Sequence, residues 1–145
     1  MKVSHFIRCA AIGTTIVSRV IHAHEIGANF DCRAGPHTFI EQLVEGKEID
    51  PRPMKVSDNA VNVYRVKPNQ NFTAFGFRVR AVFGYAHNDD MFIQRRGGAE
   101  VPHQVYGVVV MAGKDTVNNR ISEAGSPATV REVMPLVMSA VVCEK

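Results

Sequence analysis

The sequence predicts an α+β fold: a single domain with a mostly antiparallel sheet and two helices packed on one of its faces. Three observations carry this prediction. Segments rich in β-branched and aromatic residues, several of them alternating apolar with polar, dominate residues 60–112. Two stretches, one before that block and one after it, space their apolar residues at the helical period. The chain then closes on a second β-type segment, interrupted by Pro135.

Thr38, with Glu41 three residues later, reads as a capping box opening PHTFIEQLVEGKEID, where Phe39, Ile40, Leu43 and Val44 share a helical face and Gly46 marks the stop. The prolines of DPRP, residues 50–53, lack N–H groups and restrict the residues before them, so an extended connector follows. Ala60–Lys67 reads as a strand, and KPNQN turns the chain. In FTAFGFRVRAVFGYA the pattern is clearest. Phe75, Phe77, Val79, Ala81, Phe83 and Tyr85 fall on one face at period two, with Gly76, Arg78, Arg80 and Gly84 on the other. HNDD has turn composition, and QVYGVVVMA, residues 104–112, is apolar enough for burial on both faces.

The second helix is predicted from Asp115 as N-cap, Val117, Ile121 and Ala124 along one side, and Gly125 as the stop. In ATVREVMPLVMSAVVCEK, Pro135 implies an edge, a bulge or a break into two strands. Strand, helix and strand in this order make a candidate βαβ unit. Together these segments amount to a sheet of about four to six strands, with the strand order left open.

Residues 1–23, MKVSHFIRCAAIGTTIVSRVIHA, have a charged start at Lys2 and Arg8, an apolar run from Cys9 to Val17, and a small residue at the end. That order is the pattern of a signal peptide cut after Ala23, with Ala28 as an alternative, leaving a single exported domain over residues 24–145. A periplasmic or secreted location is therefore expected. The apolar run is too short to span a bilayer and is broken by Arg19. The mature form is expected to have no membrane span.

Export changes the charge. Of 17 basic and 14 acidic residues, three basic and no acidic ones precede His24, leaving 14 of each. The net charge of +3, which would point to nucleic acid or an anionic membrane, then belongs to the targeting segment, so the balance points to neither and no nucleic-acid partner is expected. Cys9 falls in the same segment. Cys32 and Cys143 remain and are expected to pair, because thiols oxidise in exported proteins. A bond closing nearly the whole mature chain into one loop contributes about 4–5 kcal/mol.

No familiar catalytic pattern emerges. GVVVMAGKDT resembles a phosphate loop only in outline: five residues separate Gly107 from Gly113, and Asp115 stands where a Ser or Thr is required. His87, Asn88, Asp89 and Asp90 lack the spacing of a calcium loop. The chain has no G-x-S-x-G, H-E-x-x-H or C-x-x-C. The charged face of the strongest strand is the more informative feature. Arg78 and Arg80, with Arg65 or Lys67 from the preceding strand and Arg95 and Arg96 from a nearby loop, form a basic stripe suited to an anionic or protein partner. The function expected is that of a non-catalytic binding module whose protein partner lies in the envelope or outside the cell.

The alternative is copper. Cleavage after Ala23 makes His24 the first residue, whose amine and imidazole together chelate Cu(II) if a second imidazole approaches. This start resembles that of histidine-brace copper proteins, and the resemblance implies a second ligand among His37, His87 and His103.

Overall fold

The computed structural model describes residues 23–94 and 103–145. Along the chain run β1 (His24–Glu25), a 3-10 turn (Gly27–Phe30), α1 (Pro36–Glu45), β2 (Lys55–Val56), β3 (Asn62–Arg65) and β4 (Phe72–Ala74). They are followed by β5 (Phe77–Ala86), β6 (Gln104–Val110), α2 (Lys114–Glu123), β7 (Thr129–Met134) and β8 (Met138–Glu144). All eight strands join one sheet in the order β1-β4-β5-β6-β8-β7, with β2 and β3 continuing the β4 edge of β5. Every pairing between these strands is antiparallel except β1 with β4. The sheet has more strands than expected because β1 and β2 are two residues each, too short for a period to register.

Both helices lie on one face, α1 against β5 and β6, α2 against β7 and β8. The helix α1 buries Phe39, Ile40 and Leu43, and α2 buries Val117 and Ile121. Under α1, Phe39 packs on Tyr106 at 4.6 Å and edge-on to Phe30 at 5.6 Å. The strands β6 and β7 run the same way with β8 inserted between them, so the expected strand-helix-strand unit is a split one.

The helix starts correct two expectations. α1 starts at Pro36 after Gly35, which places Thr38 inside the first turn, and no side chain caps the helix. Proline suits that first position because its missing N–H has no intrahelical acceptor there. Likewise α2 starts at Lys114 after Gly113, so Asp115 lies within the first turn and favours the helix dipole from there rather than as a cap. At its far end α1 stops at Gly46 as expected; Gly46 stays right-handed, and Lys47 takes the left-handed position at φ 58°. The N–H groups of Lys47 and Glu48 reach back to Val44 and Leu43, the bonds of a Schellman closure. Gly125 does play the expected part at the end of α2, with φ 65° and the same pair of bonds, Gly125 to Ser122 and Ser126 to Ile121.

Pro135 breaks its segment into the hairpin β7–β8, and β7 forms the sheet edge. Cys32, in the loop before α1, is disulfide-bonded to Cys143 on β8, as the cysteine count predicts, with Cα atoms 5.2 Å apart. The bond ties the loop beneath Phe30 to an interior strand.

Candidate functional site

A single extra residue decides what the open face of the sheet presents. Along β5, Val79 pairs with Val110 but Ala81 pairs with Val109, which makes Arg80 the additional residue of a β-bulge. Before the bulge, Val79 is buried toward the helices and Arg78 points away. Beyond it the alternation is reversed. Gly84 lies under α1, where a Cβ would stand 3.0 Å from Ile40 Cγ1, and Phe83 moves to the helix-free side. The period-two expectation that puts Phe83 with Val79, and Gly84 with Arg78, is thus corrected beyond Arg80, because it assumes an unbroken pleat. On the open side the Phe83 ring covers Gly107, where any Cβ would come within 2.4 Å of it. Only glycine fits at that position.

Arg78 and Arg80 are exposed on the helix-free face, and Arg65, opposite Ala81, stands beside them. Of the stripe expected from Arg78 and Arg80 with Arg65 or Lys67 and with Arg95 and Arg96, the structure brings Arg65, Arg78 and Arg80 onto one face. Neither Arg78 nor Arg80 pairs with a carboxylate among the described residues, whereas Arg131 binds Glu144 at 2.5 Å on the same face. Arg95 and Arg96 lie outside the described residues.

Next to the stripe is a groove of about 650 Å³, floored by Val63, Phe83, Val105, Val109 and Val142 and bordered by His103, Arg131 and Glu144. The open face of an antiparallel sheet ordinarily carries polar residues at these alternate positions. Here β3, β5, β6 and β8 all place apolar side chains there, so the face has the composition of a contact surface.

A larger cleft, about 810 Å³, opens between the 3-10 turn, the Phe75–Gly76 turn and the end of α2. Two of its polar side chains, Glu25 and Ser126, are engaged by the chain itself, while Arg33 and Arg120 stand at its rim. Glu25 accepts bonds from the backbone N–H of Gly27, Phe75 and Gly76 and from the Thr73 hydroxyl, at 2.7–2.9 Å. Burial acts to raise its pKa, but the bonds from Thr73, Gly76, Gly27 and Phe75 prevail and hold it below the usual carboxylate value. Ser126 donates to the Phe30 carbonyl and accepts from Ala128. The smaller groove, whose apolar floor is built from four strands beside Arg78 and Arg80, is the better candidate for a contact surface.

The four described histidines each face a partner side chain. His24 Nδ1 bonds Glu48, a buried carboxylate, so the ring nitrogen nearest the backbone amine already has a partner. His37 Nδ1 bonds Asp89 at 2.8 Å, joining the start of α1 to the β5–β6 connection, and His87 faces His103 with ring centres 6.1 Å apart. No group of three or more His, Cys, Asp or Glu is arranged to hold a metal ion among the described residues. The Tyr64 hydroxyl is buried without a hydrogen-bond partner among the described residues, and burial, then the charge of Asp89, pushes its pKa up to about 12. Asn62 is fully buried and clamps Ile93 through both backbone groups. Sequence reasoning missed this residue, since an Asn in a short strand carries no signal of its long-range partner.

No helix among the described residues is long and apolar enough to cross a membrane. Comparison of the chain with protein-family models, with curated proteins and with solved structures finds no match.

Proposed function

We propose that this chain is a small exported, non-catalytic binding module that receives a protein partner of the envelope or extracellular space on its helix-free sheet face. The observation that carries the reading is the apolar groove over β3, β5, β6 and β8, with Arg78 and Arg80 on the same face and unpaired among the described residues. The groove supplies area to remove from water, and the guanidinium groups select partners with acidic residues at that end. The disulfide between Cys32 and Cys143 is compatible with export.

The test is capture from envelope extract by wild type, by Val109→Asp and by Arg78→Glu/Arg80→Glu. Placing a charge in the groove floor, or reversing both cations, should lower recovery of a specific partner about tenfold or more. Equal recovery by all three proteins refutes this face as the interface. Export itself is checked by intact mass of the mature protein, which should begin at His24; a mass that still includes residues 1–23 refutes it.

A further inference from the structure

The tip of the β7–β8 hairpin is apolar and strained, and it projects into solvent. Val137 N–H bonds the Met134 carbonyl at 3.1 Å, enclosing Pro135 and Leu136, and Leu136 takes φ 62°. Proline followed by a positive φ is the geometry of a type II turn, which favours glycine or asparagine at the second position. Leucine stands there instead, 90 % exposed. Among the described residues no other apolar side chain combines a positive φ with an exposed position. Strain that packing does not offset is characteristic of sites held for contact with something outside the chain.

The surroundings indicate what that contact is. Val133, Met134 and Val137 flank Leu136 and are exposed, as is Met111 at the end of β6. Met111 N–H bonds the Arg78 carbonyl at 3.2 Å, and Gly113 abuts the Leu136 backbone just before Lys114 opens α2. Arg78, Arg80 and Lys114 therefore share this end of the sheet with the apolar tip, against Asp115 and Glu132 as the acids nearby in the chain. A convex tip of Leu, Met and Val offers no concavity for a protein side chain to fill. It suits a surface that deforms around it.

We propose that the Met134–Val137 tip, with Met111, inserts into the interfacial layer of an anionic phospholipid bilayer while Arg78, Arg80 and Lys114 lie over the headgroup phosphates. This goes beyond the groove reading and shares only the two arginines with it.

The experiment is flotation of the full protein with two kinds of vesicle, phosphatidylcholine alone and an equimolar mixture with phosphatidylglycerol. Wild type should bind the mixed vesicles about tenfold better than the neutral ones. Leu136→Gly, which the turn accommodates without disturbing the fold, should weaken that binding about tenfold, and Arg78→Glu/Lys114→Glu should abolish the preference for the anionic vesicles. The chain contains no tryptophan, so Leu136→Trp supplies a single reporter whose emission should shift to the blue on the mixed vesicles. Val109→Asp should bind vesicles as wild type does, which separates this proposal from the groove. Failure of wild type to float with either vesicle, wild-type affinity in Leu136→Gly, or an unshifted tryptophan overturns the proposal. Capture of a protein through Leu136 without vesicle binding overturns it as well.

Discussion

Two turns among the described residues put a bulky apolar residue where glycine is favoured, and they differ in what surrounds it. Phe75, with Gly76, makes the two-residue connection between β4 and β5, with φ of 54° and 82°. Both values positive is the type I′ geometry, whose twist matches a hairpin. Leu136 occupies the corresponding strained region in the connection between β7 and β8. The cost for an L residue there is about 1–2 kcal/mol. At Phe75 the fold offsets it. The ring is only 8 % exposed and meets Phe30 at 5.7 Å, while the N–H groups of Phe75 and Gly76 both bond Glu25. Burial of a side chain of this size contributes about 1.5–3 kcal/mol. At Leu136 no such packing exists, and the side chain remains in water. Equal backbone strain thus has opposite meanings: part of the core at one turn, and surplus to the fold at the other.

The largest expected effect lies on the Phe75 side. Replacing Cys32 and Cys143 by alanine frees the loop just beyond Phe30 and should cost about 3–5 kcal/mol in urea denaturation. A loss under 1 kcal/mol would mean that the Phe30–Phe75 contact holds without its tether. Next, Phe75→Gly should destabilise by about 2–3 kcal/mol, since the lost ring outweighs the relieved backbone. No loss would erase the distinction between the two turns.

A smaller effect is expected at Glu25. Glu25→Gln should cost about 1 kcal/mol at neutral pH, because a neutral amide accepts the bonds from Phe75 and Gly76 less strongly than a carboxylate. The folded pKa of Glu25 lies below the ordinary 4.5, so its contribution is fully present above that value and is lost as pH falls through the folded one. The gap between wild type and variant should therefore be constant at neutral pH and close on acidification. A gap that widened in acid would contradict the hydrogen-bond account.

Much of this was legible beforehand for identifiable reasons. The α+β class, the hairpin break at Pro135, the Gly125 stop and the Cys32–Cys143 pair follow from local chemistry or from there being two cysteines left to pair. What escaped depends on pairing between distant segments. The bulge at Arg80 is a property of β5 against β6, and nothing in FRVRAVFGYA marks it. Consequently strict alternation gives the side on which Arg78 and Arg80 stand but assigns Phe83, a floor residue of the groove, to the core. The capping box at Thr38 failed because a Gly-Pro start one turn earlier was available. The network on Glu25 was invisible because its four donors come from residues 27 and 73–76, which only the fold brings together.

The contrast between the turns rests most directly on Leu136→Gly, measured by urea denaturation beside wild type. Glycine removes the left-handed strain and sacrifices no packed surface, while its greater freedom in the unfolded chain returns part of the gain. A rise in stability of about 0.5–1 kcal/mol is predicted, opposite in sign to the same substitution at Phe75. A fall of 1 kcal/mol or more would show that Leu136 belongs to the fold, and the account of its turn as an element held for an outside contact would be wrong.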